Sequence, residues 1–363
     1  MILAFFVALI VIAGWVYMRQ PVFGKAPAGE RLERIRQSPH YRDGAFQNLN
    51  NTPSLTENTS YYKVFKEFFF GQPKRAHPAT ILPAGKTDLL NLSPEEDILV
   101  WFGHSSYFMQ LGGKRILVDP VLSGNASPLS FTTKSFNGSD VYTVEEIPAI
   151  DYLFISHDHY DHLDYKTVSA LAPRVKKVIT GLGTGAHLES WGYDTARIIE
   201  KDWYERVVLE DDFVINTVPA RHFSGRGFKR NGTLWVSFVL TTPEWNIYIG
   251  GDSGYDDHFA AIGEQYGPFD LVILENGQYN KSWKYIHMMP EEVVQAAIDL
   301  KARKLFPVHW SKFALALHDW DESIVRLVKE SQRRQMPLLH PMIGEQVRLK
   351  DTLASKRWWE GID

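Results

Sequence analysis

The sequence predicts an α+β layered domain over residues 98–350, and two patterns support this. From Asp97 onward, short apolar runs alternate with turn residues, and Gly112-Gly113 joins two of these runs as a hairpin. Further along, strands alternate with helical patterns. Pro290-Glu291-Glu292 begins a helix that is expected to run to about Lys301, since proline suits the first turn and glutamates favour the positive end of the helix dipole. Antiparallel strands followed by strand–helix units are typical of this fold class.

Individual strands are predicted wherever three to seven mostly apolar residues lie between turn signals. These runs are Ile98 to Phe102, Tyr107 to Leu111, Arg115 to Val118, Tyr152 to Ile155, Val175 to Ile179, Phe213 to Val218, Leu234 to Leu240, Ile247 to Ile249, Leu271 to Leu274 and Leu305 to Val308. Short helices are expected at Glu30 to Gln37 and at the aromatic segment Tyr61 to Phe70.

Composition limits the functions that are open to the chain. The 363 residues suit one catalytic domain with extensions, and a formal charge of −4 argues against a general nucleic-acid binder. Cysteine is absent, which excludes disulfides, thiolate catalysis and thiolate-bound metal. Any metal ion must therefore be held by histidine and carboxylate groups.

The N-terminus predicts a membrane anchor. Ile2 to Met18 is uncharged and apolar, and basic residues such as Arg19 and Lys25 follow it, which favours an uncleaved single-pass anchor with a cytoplasmic catalytic domain. The alternative is a secretory signal cleaved near Ala26 or Ala28, which would make the protein periplasmic or secreted. The predicted organisation is an anchor at 1–18, an extension packed on the core at 19–97, the domain at 98–350 and a C-terminal tail at 351–363.

Three histidines and two aspartates fall within six residues, directly after a predicted strand. The run is His157-Asp158-His159-Tyr160-Asp161-His162. Imidazole and carboxylate groups are ligands that zinc, iron and manganese accept. A solvated polar loop is the alternative, but so many titratable groups in six residues would repel one another without a cation. The run therefore predicts a metal site.

Three further candidate ligands each follow a predicted strand: His222, Asp252 after Gly250-Gly251, and His309. Residues at successive strand ends converge on one edge of a sheet. The sequence thus predicts that all three meet the histidine run.

As a set, these motifs resemble the ordered metal motifs of the metallo-β-lactamase superfamily. The resemblance implies a four-layer αββα sandwich and a centre of two divalent metal ions, most readily Zn²⁺, with Fe or Mn as alternatives. It implies His157, His159 and His222 on one metal, Asp161, His162 and His309 on the other, and Asp252 bridging the two.

The resemblance extends to one branch of that superfamily. Trp101-Phe102-Gly103-His104-Ser105-Ser106, Leu117-Val118-Asp119-Pro120, the run from Ser156 to Asp164 and His309-Trp310 are similar to the branch that contains N-acylphosphatidylethanolamine-hydrolysing phospholipase D. This implies a phosphodiesterase that acts on such lipids, with a water ionised between the two metals as the nucleophile.

Several other residues are expected to serve this centre. Asp161 and His287 are predicted to act in catalysis, with His287 protonating the leaving group, although hydrogen bonding within its loop is the alternative. The family's early aspartate is matched by Asp119, which is expected to support the metal loop. Asp164 is expected to orient a ligand histidine, and His104 to lie near the centre or to bond within its hairpin.

Two other functions remain open at this stage. The same centre could hydrolyse a C–O or C–N bond in a lactone or amide, or the protein could be a non-catalytic, membrane-tethered metal binder. Expected partners are a lipid or other small phosphodiester and, through the N-terminal segment, a membrane, with no nucleic acid. The aromatic segment from Tyr61 to Phe70 is interpreted as a helix docked on the core, with an apolar lip as the alternative.

Overall fold

A computed structural model describes residues 2–351 and 356–362. The helices are α1 Ile2–Tyr17, α2 Gly29–Gln37, α3 Tyr61–Phe70, α4 Tyr165–Leu171, α5 Gly185–Ser190, α6 His258–Tyr266, α7 Pro290–Asp299 and α8 Glu322–Arg334. The strands are β1 Tyr41–Arg42, β2 Ala45–Phe46, β3 Ile98–Trp101, β4 Tyr107–Leu111, β5 Lys114–Val118, β6 Ile150–Ile155, β7 Val175–Gly181, β8 Ile198–Lys201, β9 Arg206–Val208, β10 Val214–Val218, β11 Ser237–Thr241, β12 Asn246–Ile249, β13 Leu271–Glu275, β14 Leu305–Val308 and β15 Gln346–Arg348.

Two mixed sheets form the centre of the domain. The seven-stranded sheet has the order β15-β3-β4-β5-β6-β7-β8, and the six-stranded sheet has the order β14-β13-β12-β11-β10-β9. In the first sheet the strands from β15 to β5 pair antiparallel, and those from β5 to β8 pair parallel. In the second, β12, β13 and β14 are parallel, whereas β9 to β12 are antiparallel. The predicted α+β class is confirmed.

The two sheets pack face to face, and the alternation of side-chain direction along the strands shows which residues lie between them. In β3, Leu99 and Trp101 belong to the large core cluster shared by both sheets, whereas Ile98 and Val100 belong to a second cluster on the other face. That second cluster also contains Val168 of α4 and Leu188 of α5. Since successive side chains of a strand point to opposite faces, both faces of this sheet are buried.

Helices α6, α7 and α8 cover the six-stranded sheet. Their apolar residues, including Phe259, Val293 and Leu327, join the large core cluster. Helix α7 begins with Pro290 as predicted, and Glu292 hydrogen-bonds back to the backbone N–H of Met289, which satisfies a donor at the helix start. Two sheets between two helical layers form a sandwich.

The predicted strand from Leu234 to Leu240 begins only at Ser237. Leu234 and Val236 instead donate backbone hydrogen bonds to Leu182 and Ser156, which lie at the ends of β7 and β6. This segment therefore ties one sheet to the end of the other, next to the histidine run. The apolar composition of 234–236 reflects burial between the sheets rather than membership of β11.

The predicted membrane anchor is wrong. Helix α1 contains 16 residues, which span ~24 Å, whereas a hydrocarbon core is ~30 Å thick. Within residues 2–351 and 356–362, no helix combines the length and apolar composition that crossing a membrane requires. The predicted cytoplasmic location of the catalytic domain was inferred from that anchor, so it loses its basis.

The N-terminal extension contacts the domain through polar groups and through Ile35 and Phe46, which are buried in the large core cluster. Arg31 of α2 pairs with Glu200 and Glu189 at 2.7 Å each. Asn48 accepts a hydrogen bond from the backbone N–H of His222 and donates one to its carbonyl. At the other end of the chain, Trp359 is buried in the large core cluster.

Helix α3 does not dock on the core as expected. None of its residues is buried, and five of its aromatic rings are exposed: Tyr61, Tyr62, Phe65, Phe69 and Phe70. Only one side of the helix touches the domain, where Phe68 stacks on Trp283 at 6.1 Å between ring centroids. The apolar lip is therefore the better description of this helix.

Candidate metal centre

The histidine run lies between β6 and α4, where the chain leaves the buried strand. His157 and His162 are almost fully buried. The carbonyl of His159 accepts backbone hydrogen bonds from His162 and Leu163, so the run makes a tight turn. This turn brings side chains two to five residues apart to one point above the sheet edge.

One group of ligands forms where the run meets the end of β10. His157 Nε2 lies 2.9 Å from His159 Nδ1, and His159 Nδ1 lies 3.2 Å from His222 Nε2. Asp252 Oδ2 lies 3.8 Å from both His157 Nε2 and His222 Nε2. The candidate donor atoms of these four residues all lie within 4.8 Å of one another.

A second group lies on the other side of Asp252. Its Oδ2 is 3.2 Å from His162 Nε2, and its Oδ1 is 3.2 Å from His309 Nδ1. Asp161 Oδ2 lies 3.6 Å from His162 Nε2. The structure thus brings together all seven residues predicted as ligands, with Asp252 between the two groups.

The donor atoms suit two bound cations. His162 Nε2, His309 Nε2 and Asp252 Oδ1 are buried. Although Asp252 lies 3.2 Å from His162 and from His309, none of these three atoms makes a well-oriented hydrogen bond within the described parts of the chain. Leaving such polar atoms buried and unpaired costs ~1–3 kcal/mol each, and a cation between them removes that cost. Nitrogen and oxygen donors without sulfur suit Zn²⁺, Fe or Mn.

Burial also favours the neutral form of imidazole that a metal ligand requires. It lowers the pKa values of His157, His222 and His309 well below the usual range. The pKa of His159 falls to about 4 for the same reason. Burial raises the pKa of Asp252 to about 6.

Hydrogen bonds on the side away from the centre orient the ligand histidines. Asp119, at the end of β5, lies 2.8 Å from His162 Nδ1 and accepts from the backbone N–H and hydroxyl of Ser156. The carbonyl of Ile286 accepts from His222 Nδ1. Ser105 Oγ hydrogen-bonds with His309 Nδ1 at 2.9 Å. Each of these bonds leaves the opposite ring nitrogen for the centre.

His104 lies at the centre as well as in its hairpin. Its Nε2 is 2.9 Å from Asp161 Oδ2, and its side chain is fully buried. Its backbone N–H donates to Trp310, and its carbonyl accepts from the backbone N–H of His309. Both alternatives from the sequence therefore describe the same residue, which joins the hairpin after β3 to the end of β14.

Asp164 does not orient a ligand histidine, contrary to the prediction. Its carboxylate accepts hydrogen bonds from the backbone N–H groups of Lys166 and Ser123 and from the hydroxyl of Thr167. It is the N-cap of α4, where a short acidic side chain satisfies free N–H groups of the first turn. Sequence proximity to His162 was a poor guide, because the chain turns into a helix there.

Asp158 points away from the centre and binds the loop after β10. It accepts hydrogen bonds from the backbone N–H of Gly225, the hydroxyl of Thr233 and His187 Nε2. Through His187, whose Nδ1 accepts from the backbone N–H of Lys25, it also reaches the N-terminal extension.

Arg226 connects the same parts of the molecule. Its buried guanidinium donates to the carbonyls of Asp158 and Leu163 in the metal loop and to that of Val22 in the extension. It also lies over the ring of Tyr160, at 4.2 Å. Arg226 therefore holds the metal loop against the extension and is not available to a substrate.

Glu275 is a functional residue that the sequence reasoning missed. It ends β13 in full burial, and its Oε2 accepts from His287 Nδ1 at 2.8 Å while its Oε1 accepts from the backbone N–H of Met288. The His287 ring lies 5.0 Å from that of His222 and 5.4 Å from that of His309. The sequence signal that could have identified Glu275 is its position as a carboxylate directly after the apolar run Leu271 to Leu274.

A cavity of about 400 Å³ opens from the two ligand groups. Its walls are formed by residues of the centre and by apolar side chains. Three of these side chains, Tyr61, Val64 and Phe68, belong to α3, and the others are Leu55, Phe223, Trp283, Ile286 and Leu315. The cavity suits a ligand that presents a polar group to the metals and an apolar part to these walls.

In the glycine-rich loop from Gly181 to Gly185, two backbone N–H groups of the kind that bind anions are already occupied. Glu200 Oε1 accepts hydrogen bonds from the backbone N–H groups of Gly183 and Gly185 at 2.7 and 3.0 Å. The chain's own carboxylate thus takes the place that an anion would need. This loop connects β7 to α5.

Comparison with known proteins agrees with this geometry. The family model described as "Beta-lactamase superfamily domain" matches residues 114–310, which is more than half of the chain. An uncharacterized protein of Mycobacterium tuberculosis is 38% identical over 327 residues, covering 89% of this chain and 88% of its own length.

Two further matches have lower sequence identity to this chain. The N-acyl-phosphatidylethanolamine-hydrolyzing phospholipase D 1 of Caenorhabditis elegans is 30% identical over 236 residues, covering 61% of this chain and 65% of that protein. The solved structure of Igni18, a metallo hydrolase from Ignicoccus hospitalis, matches with a TM-score of 0.53 and 21% identity, covering 69% of this chain and 97% of Igni18. The latter likeness concerns the fold.

Proposed function

This chain belongs to the metallo-β-lactamase superfamily of metal-dependent hydrolases, and on that premise we propose that it is a phospholipase D-like phosphodiesterase acting on N-acylphosphatidylethanolamine-type lipids. One observation carries the proposal: the two ligand groups open directly into a cavity whose walls include Val64, Phe68 and Trp283. The printed name of the Caenorhabditis elegans relative supports it. Such a lipid combines a phosphodiester with acyl chains.

We propose that the residues named above divide between two metals as the superfamily resemblance implies. His157, His159 and His222 would hold one ion and Asp161, His162 and His309 the other, with Asp252 shared, and Zn²⁺ is the ion we propose, with Fe or Mn as alternatives. When bound, such a pair lowers the pKa of water and offsets negative charge at the reacting phosphorus.

We propose that His287 serves the leaving group. Its Nδ1–H is engaged by Glu275, which leaves Nε2 for the cavity that His287 lines. Nε2 of a histidine held in this way would first take up a proton released by water and would then pass it to an alkoxide leaving group, which needs one.

Elemental analysis and a hydrolysis screen together test the proposal. Wild-type protein is expected to bind about two metal ions per chain and to hydrolyse both N-acylphosphatidylethanolamine and bis(p-nitrophenyl) phosphate. His157→Ala is expected to lose metal and both activities. Asp164→Asn changes a side chain that binds the start of α4 and the backbone of Ser123 but no candidate ligand, so it should retain them. Metal-replete wild-type protein that opens lactones but cleaves neither phosphodiester would overturn the proposal.

A further inference from the structure

The loop between Ser224 and Asn231 is closed at its neck. The backbone N–H of Asn231 donates to the carbonyl of Ser224 at 2.9 Å, and the Asn231 side chain accepts from the Ser224 N–H. Hydrogen bonds from Gly225 to Asp158 and from Tyr160 to the Arg226 carbonyl fasten the loop to the histidine run. The neck is therefore fixed to the metal loop, although Phe228 at the tip is 95% exposed.

Arg230 sits at this neck and faces the cavity. It lines the cavity beside Phe223, and its guanidinium lies 4.9 Å from the centre of the Phe223 ring. That ring in turn lies 4.5 Å from the His159 ring and 4.7 Å from the His222 ring. One aromatic side chain thus separates the guanidinium from two candidate metal ligands.

Among the described residues that line the cavity, Arg230 is the only lysine or arginine. Its contact is with the face of an aromatic ring, and none of the ion pairs of the described chain involves it. By contrast, Arg221 is tied to Asn51, Thr52 and Tyr255, and Arg226 is buried. Arg230 therefore presents an exposed charge that makes no ion pair within the described chain.

We propose that Arg230 determines substrate specificity by charge: it favours phosphodiesters with net negative charge and disfavours those that carry a cationic group beside the phosphate. The inference rests on the proposed phosphodiesterase function. A guanidinium within about one Debye length of the reacting phosphate, beside a low-dielectric wall, attracts anionic substrates and repels a quaternary ammonium. Stacking on Phe223 holds the charge at the cavity without using its hydrogen-bond donors.

Two chromogenic phosphodiesters with the same leaving group test this inference. Bis(p-nitrophenyl) phosphate carries one negative charge, whereas p-nitrophenyl phosphorylcholine adds a quaternary ammonium and is neutral overall. The experiment measures kcat/KM of the metal-loaded full chain on both substrates. The variants are Arg230→Gln, Arg230→Lys and, as a neighbouring exposed control outside the cavity lining, Lys229→Gln.

The ratio of kcat/KM for the anionic to the choline substrate is the readout. We expect Arg230→Gln to lower this ratio about tenfold with unchanged metal content, Arg230→Lys to preserve most of it, and Lys229→Gln to leave it unchanged. An active wild type whose ratio is the same in Arg230→Gln would overturn the inference alone. Equal losses on both substrates would also overturn it, because they indicate a structural role. A wild type that cleaves no phosphodiester would overturn the proposed function itself.

Discussion

Glu275 is a buried carboxylate that joins separate segments of the site. It binds His287 and the backbone of Met288, which immediately precede α7, and it stands at the end of β13. Burial raises its pKa well above the usual range. A carboxyl group that is buried in such surroundings indicates a role in orienting the neighbouring histidine.

Glu275→Gln should impair the release of poor leaving groups selectively. Glutamine keeps the volume and can still accept from Met288, but its amide N–H₂ cannot accept the proton of His287 Nδ1. We expect kcat/KM on a lipid with an alkoxide leaving group to fall about 10²-fold, and that on bis(p-nitrophenyl) phosphate to change little, because p-nitrophenolate departs without protonation.

Glu292→Gln is the matched control for this change, since Glu292 lies in the first turn of α7 and its carboxylate accepts a hydrogen bond from the backbone N–H of Met289 rather than from His287. It should leave the ratio between the two substrates unchanged. If Glu275→Gln lowered both activities by the same factor, Glu275 would be a structural residue and not one that positions His287.

At the scale of elements, α3 forms one wall of the cavity while most of its aromatic surface remains exposed. Val64 and Phe68 are the partly buried positions facing the domain, and Phe68 stacks on Trp283. The helix is capped by Ser60, whose hydroxyl accepts from the backbone N–H of Lys63. Its aromatic residues therefore form a rim beside the metal centre.

Phe68→Ala should weaken the binding of substrates with acyl chains. Removing this ring takes away apolar contact of roughly 1–2 kcal/mol, so KM for N-acylphosphatidylethanolamine is expected to rise about tenfold. KM for bis(p-nitrophenyl) phosphate, which has no acyl chain, should change much less. Steady-state kinetics on both substrates measures the difference.

Phe70→Ala removes the same group from a position that is 84% exposed on the same helix, and it serves as the control. It should leave both KM values near those of the wild type. The role assigned to the α3 wall would be contradicted if the two alanine variants behaved alike.

For the whole molecule, buried neutral histidines make stability depend on pH. Burial lowers the pKa of His258, at the start of α6, to about 4. The unfolded chain takes up this proton near pH 6.5, whereas the folded protein does so only near pH 4. The contribution is therefore present at neutral pH and is lost as the pH falls between these values.

His258→Gln should flatten this dependence. Between pH 7 and pH 5, His258 is expected to reduce the free energy of unfolding of the wild type by about 2 kcal/mol, and the variant should lack that loss. Urea unfolding at both pH values, with chelator present so that the ligand histidines contribute equally, measures the difference. His77→Gln, at an exposed histidine, is the control, and parallel pH profiles for wild type and His258→Gln would refute the expectation.

The sequence by itself determined the fold class, the hairpin at Gly112-Gly113, the start of α7 and the six residues that gather with Asp252 at the centre. These depend on local patterns: strand ends, turn glycines, helix starts and ligand types concentrated in short runs. Proximity to a ligand gave a wrong role for Asp164, because the chain becomes a helix there and its carboxylate is used as a cap. The apolar N-terminal run likewise gave a helix too short for the anchor that was predicted.

The tertiary structure alone decided which distant groups support the centre. Glu275 meets His287, Ser105 meets His309, and Arg226 reaches both the metal loop and Val22. Packing between the sheets sets these contacts, which join residues 12 to 204 positions apart and have no local periodicity. The physical reason is that one strand end can supply a ligand, whereas the environment that orients a ligand comes from several segments at once.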